Sequence, residues 1–193
     1  MEAFIFYSVV FLWIIQIVIL FAMFLLFRQF GEVYLTKGEA VAKDGLAIGK
    51  ETPSIKVFSL TQNKVVELKE LFHRPTLLTF LSPNCKPCES VIEDWNRAYK
   101  SYSDKVNFCV VILGRDEEVK ALLKKDFITG EKLWDRKEEL FHHFLVRVTP
   151  FAFALDQNGV VKDKGLCGNK EQIDLLVSSV MELPIINDKE ENK

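Results

Sequence analysis

The sequence predicts an α/β domain carried behind one membrane-spanning helix, and three observations lead there. Residues 3–27 hold no charge. Beyond residue 51, short apolar runs of strand character alternate with segments of helical period. A Cys-x-x-Cys pair, Cys85 and Cys88, stands where one such run passes into a helical segment. Strands alternating with helices, then a hairpin and a closing helix, describe a sheet layered by helices.

The first element is the anchor. From Ala3 to Phe27 only Ser8 and Gln16 interrupt a run of Phe, Ile, Leu and Val as strongly polar types. As a helix it measures about 37 Å against a hydrocarbon core of about 30 Å, so residues 3–27 are expected to cross the lipid bilayer in a single pass. A cleavable signal peptide has a basic leader, a shorter apolar core and a small-residue cleavage site, none of which is present. Arg28, Lys37 and Lys43 follow the span while Glu2 precedes it, which leans the domain toward the cytoplasm. A tether and dithiol chemistry both suit an oxidising compartment, and on that ground we place the domain outside the cytoplasmic membrane. Residues 1–27 are thus the anchor and 28–50 a linker, where Gly31, Gly38, Gly45 and Gly49 argue against a continued rigid rod.

Roughly 140 residues remain, enough for one domain with a sizeable core. All 25 Lys and Arg lie beyond residue 27 against 26 of the 27 acidic residues, so no basic excess supports a nucleic-acid partner. Ile55, Val57 and Leu60 mark a first strand, and Val65, Val66 and Leu68 a second, with a turn at Gln62-Asn63-Lys64. Leu77 to Leu81 is a buried strand feeding the cysteines. Residues 86–103 form a helix with Val91, Ile92, Trp95 and Tyr99 on its core face. Val106 to Leu113 is a central parallel strand. Helices follow at 116–125 and 136–145, then a hairpin from Phe151 to Gly165 turning at Asp156-Gln157-Asn158-Gly159, and a closing helix from Gln172 to Leu183. The polar residues 184–193 are a disordered tail.

The cysteine pair carries the chemistry. A thiol at a helix N-terminus faces unsatisfied N–H groups and the positive end of the helix dipole, which favour the thiolate. Cys85 is therefore the attacking sulfur, and Cys88, one turn on, can close a ring with it. Pro87 suits the first turn, where a missing N–H costs nothing. Half of a zinc site is the competing reading of such a pair. No second pair at usable spacing exists, so no metal is assigned.

Cys85-Lys-Pro-Cys88 at a strand-to-helix junction, Thr149-Pro150 before a later strand, and the Leu155-Asp156…Gly159-Val160…Lys164-Gly165 hairpin together resemble the thioredoxin fold. The Gly45-Leu46-Ala47-Ile48-Gly49 entry, Thr52-Pro53, and the Phe80-Leu81-Ser82-Pro83 approach are similar to its membrane-tethered branch. That branch includes the thiol-disulfide proteins of cytochrome c maturation and the methylamine dehydrogenase accessory proteins. The resemblance implies a thioredoxin-like central mixed sheet flanked by helices over residues 51–183, and a dithiol needing no cofactor. It makes Cys85 the attacking and Cys88 the resolving thiol. It makes Pro150 a cis-proline, with Thr149 beside it, pairing with a client's extended chain. Lys86 and Pro87, between the sulfurs, tune the reduction potential. The partners it implies are client proteins with cysteines and a membrane redox partner.

Two departures stand out. Thr79 occupies the position where many thioredoxins have a buried acid, and Asn84 replaces the tryptophan before the first cysteine. Glu89 and Glu93 read as solvated helix residues, Cys109 as a buried inert thiol, and Cys167 as an exposed one. Cys109 and Cys167 are expected to stay unbonded. Adjacent helical residues point apart, so His142 and His143 read as surface residues, and His73 as a loop residue. The reading is a membrane-anchored thiol-disulfide oxidoreductase that makes, breaks or rearranges disulfides in extracytoplasmic clients. Its alternative is a non-enzymatic binding module or metal chaperone on the same fold. A peroxidase would approach its thiol through Thr-x-x-Cys, which Ser82-x-x-Cys85 matches only loosely.

Overall fold

The computed structural model describes residues 2–125 and 127–181, so the tail expected at 184–193 lies outside them. Two units are described separately, one ending at Ala42 and the other beginning at Lys43.

The first is helix α1 (Glu2–Lys43), of which Phe4–Leu26 is long and apolar enough to cross a membrane. The linker expected from residue 28 is thus helical as far as Lys43. An interior glycine costs a helix only about 1 kcal/mol, and Gly31 and Gly38 sit among helix formers such as Leu35, Glu39 and Ala40.

In the second unit, β1 (Lys56–Ser59) and β2 (Lys64–Glu67) form the first hairpin. Next come β3 (Thr76–Leu81), α2 (Lys86–Tyr102), β4 (Asn107–Leu113), α3 (Asp116–Lys125), β5 (Glu131–Asp135) and α4 (Glu139–His143). The hairpin β6 (Phe151–Leu155) and β7 (Val161–Leu166) and the closing helix α5 (Lys170–Val180) complete the fold. One seven-stranded mixed sheet runs β2-β1-β5-β4-β3-β6-β7, parallel at β3–β4 and β4–β5 and antiparallel elsewhere. This is the thioredoxin-like α/β sheet expected from the sequence, with one strand more.

That strand is β5, which the hydropathy pattern does not announce. Only Leu133 and Trp134 in Glu-Lys-Leu-Trp-Asp are apolar, and Lys132 takes part by turning its ammonium back onto the carbonyls of Ile128 and Gly130. The helix expected at 136–145 shrinks to α4 because Asp135 ends β5 and accepts hydrogen bonds from the Glu139 and Phe141 N–H groups at 2.9 and 3.0 Å. Its carboxyl is raised by burial, against the pull of those N–H donors.

The alternation of the central strands sorts the core into two layers. Leu77, Leu81, Phe108, Val110 and Ile112 meet Val91, Ile92 and Trp95 of α2 and Ile173 and Val177 of α5. On the other face Phe80 packs against Phe141, Phe144 and Phe153 with ring centroids 5.0, 5.2 and 5.7 Å away.

Candidate active site

The site forms where β3 ends. After Leu81 the chain turns through Ser82-Pro83, and Cys85, in extended conformation, is the N-cap of α2. The Cys85 Sγ accepts the Cys88 N–H at 3.2 Å, so the sulfur takes the role of a capping oxygen at the positive end of the helix. Its carbonyl accepts the Cys88 and Glu89 N–H groups at 3.0 and 3.4 Å. Pro87 lies in the first turn, where it deprives the helix of no bond.

A disulfide joins Cys85 to Cys88, with their Cα atoms 5.2 Å apart. The two sulfurs are not equivalent: Cys85 is half-buried, while Cys88 is 3% exposed and packs into the α2 core layer. Lys86 and Pro87 are both exposed between them.

Sheet register brings in the third part. β6 runs antiparallel to β3, pairing Phe151 with Phe80, so the residues just before β6 lie beside the end of β3. The Thr149-Pro150 bond is cis, Pro150 is buried, and the Thr149 carbonyl oxygen is 3.4 Å from Cys85 Sγ. The structure thus places Cys85, Cys88, Thr149 and Pro150 together. In front of Cys85, Gly114 gives room for Pro83, since a Cβ there would stand 3.2 Å from the proline ring. Asn84 is exposed, and Glu118 beyond it is bonded to Arg115, whose hydrogen bonds hold its carboxyl down to about 2.

Thr79 is 1% exposed in the middle of β3. Cys167 corrects an expectation: it is fully buried, its N–H donates to the Pro150 carbonyl at 3.2 Å, and burial pushes its thiol up to about 12. The chain does not run free after β7, because Asn169 caps α5 and folds it back over this position. Cys109 in β4 is likewise a buried free thiol, raised chiefly by desolvation. The two free thiols stand on opposite sides of β3. Glu89 is paired with Lys125 at 2.8 Å, and Glu93, His73, His142 and His143 are exposed. Among the described residues no group of three His, Cys, Asp or Glu side chains could hold a metal ion.

The segment from Asp44 to Thr52, read as linker up to residue 50 although its Gly45–Gly49 and Thr52-Pro53 motifs carry the family resemblance, lies along β7 and reaches the loop before Thr149. Gly45 and Gly49 both have positive φ.

The profile of the AhpC/TSA family matches residues 48–164. Thiol-disulfide oxidoreductase ResA of Bacillus cereus is 30% identical over 153 residues, covering 76% of this chain and 86% of that protein. Methylamine utilization protein MauD of Paracoccus denitrificans is 25% identical over 186 residues, 93% of this chain and 90% of its own length. Among solved structures, the thioredoxin domain of a thiol-disulfide oxidoreductase from Bacteroides vulgatus superposes with a TM-score of 0.60 at 19% identity, covering 68% of this chain and 99% of that one.

Proposed function

Because the chain belongs to the AhpC/TSA family, with a thioredoxin-like fold and a Cys-x-x-Cys dithiol at its α2 N-terminus, we propose that it is a membrane-anchored thiol-disulfide oxidoreductase acting on cysteine-containing client proteins. Residues 3–27 hold it in the bilayer in a single pass, and the domain works outside the cytoplasm.

The supporting observation is the asymmetry of the two sulfurs. In the reduced protein the Cys85 thiolate, stabilised by the Cys88 N–H and the helix N-terminus, attacks one sulfur of a client disulfide. That S–S bond breaks, a client thiolate leaves, and a mixed disulfide joins client to Cys85. Cys88, shielded from outside nucleophiles, then attacks the Cys85 sulfur, releasing the second client thiolate and forming the Cys85–Cys88 disulfide. Run backwards, the same steps oxidise a client. The Thr149 carbonyl beside Cys85 and the edge of Pro150 receive the client's extended backbone, as strand-addition recognition requires. Lys86 and Pro87 set the potential, and a membrane redox partner resets the dithiol.

Replacing Cys88 with Ala in the full-length protein tests the reading. Client should accumulate on Cys85 as adducts that a reducing agent releases, and Cys85→Ala should abolish them. A Cys88→Ala protein that never carries a covalent client would make it a binding module instead.

A further inference from the structure

The chain between α1 and β1 is bound to the domain by a ladder of long-range contacts. Thr52 N–H donates to Gly159, Gly49 N–H to Val161, and the Val161 N–H to Lys50, so residues 49–52 cover the start of edge strand β7. Further back, the Gly45 and Leu46 N–H groups donate to the carbonyls of Leu145 and Phe144, each at 3.0 Å. Lys164, reaching from β7, donates to the Asp44 and Gly45 carbonyls at 2.6 and 3.0 Å. Asp44 is 4% exposed, and its Oδ1 accepts from both Nε and Nη2 of Arg147 at 2.5 Å. Burying a carboxylate is costly unless it is paired, and this one is paired with a residue two positions before Thr149.

We infer that Asp44 and Arg147 are positioning residues that hold the Arg147–Pro150 loop in register with Cys85 for polypeptide clients. The inference rests on the exchange chemistry proposed above. A client strand has to pair with backbone at Thr149, whose carbonyl lies 3.4 Å from the Cys85 sulfur. Loosening the loop weakens that backbone pairing, and with it the hold on a polypeptide client. A small disulfide needs only the sulfur, and so does not read the loop.

The experiment uses full-length Asp44→Asn and Arg147→Gln proteins with two substrates, insulin in the presence of a small dithiol that re-reduces Cys85–Cys88, and a small aromatic disulfide in single turnovers of the pre-reduced protein. Both variants should raise KM for insulin by about fivefold or more while leaving kcat, and exchange with the small disulfide, within about twofold of the parent. Combined, they should be no worse than either alone, because each opens the same contact. Hydrogen exchange at the Gly45 and Leu46 amides should quicken in both. An unchanged KM for insulin in both variants overturns the inference, as does an equal loss toward both substrates in both. A parent protein inert to both disulfides would sink the proposed chemistry instead, and unaltered exchange at those two amides would still overturn the positioning role.

Discussion

Gly45 offers the sharpest test of the packing argument, because its neighbour in sequence, Gly49, provides an internal control. Both have positive φ, +76° and +84°, so alanine at either position incurs the left-handed penalty of about 1–2 kcal/mol. The unfolded state recovers about 0.4–1 kcal/mol through its reduced freedom. The surroundings differ. A Cβ at Gly49 would meet nothing within 4 Å, whereas one at Gly45 would stand 2.6 Å from Phe153 Cζ and 2.9 Å from Phe151 Cε1. Those rings are fully buried and meet edge to face with centroids 5.2 Å apart, so neither can swing aside. Overpacking of this kind adds about 1–3 kcal/mol. Gly49→Ala should therefore lose about 0–1.6 kcal/mol, and Gly45→Ala about 1–3 kcal/mol more than Gly49→Ala does. For a domain of this size each kcal/mol lowers Tm by roughly 2–4 °C, so thermal and urea unfolding of the full-length variants separate the two. Equal losses would show that the aromatic layer yields to the extra methyl and would refute the close-packing account.

Three further outcomes follow from the same geometry. After reduction, brief alkylation of the folded protein near neutral pH should label Cys85 first and spare Cys109 and Cys167, whose burial raises both thiols; mass mapping showing early label on Cys167 would contradict its placement. Asp135 resists ionising in the fold, so its contribution is full below the ordinary aspartate range and declines as pH rises through its raised folded value. The stability lost in Asp135→Asn should accordingly be larger at pH 4 than at pH 7, and urea midpoints showing the reverse order would reject this. On the family resemblance Thr79 takes the place of a proton-accepting carboxylate, so the proton of Cys88 is expected to leave to solvent. Release of a mixed disulfide from Cys85 should then accelerate with buffer-base concentration at fixed pH, and stopped-flow rates indifferent to buffer would rule it out.

How far the fold could be read from the chain depended on where each element takes its stabilisation. The strand over Leu77–Leu81, the helix behind Cys85 and the hairpin turning at Asp156–Gly159 announce themselves because local pattern and tertiary role agree. β5 does not, since its place is secured by register with β4 and by Lys132 folding its charge onto nearby carbonyls. Cys167 read as exposed because it follows a strand, yet α5 closes over it. The pairing of Asp44 with Arg147 spans 103 positions, and no local pattern foretells it. The dithiol and the Thr149-Pro150 pair were legible by motif; the contacts that tie residues 44–52 to β7 and to Phe144, Leu145 and Arg147 were not.

The placement of buried charge bears on how the proposed dithiol exchange is activated. Among the described residues the carboxylates below a tenth exposed are Asp44 and Asp135. Each already has a fixed task, one holding Arg147 and the other the N–H groups of α4. The mid-β3 position where the family resemblance would put an acid holds the buried Thr79 instead. On the proposed reading, reactivity at Cys85 comes from backbone, through the Cys88 N–H and the end of α2. On the same reading the order of events comes from helical phase: the half-buried N-cap sulfur of Cys85 meets the client, while Cys88, three residues on, turns into the layer with Val91, Ile92 and Trp95.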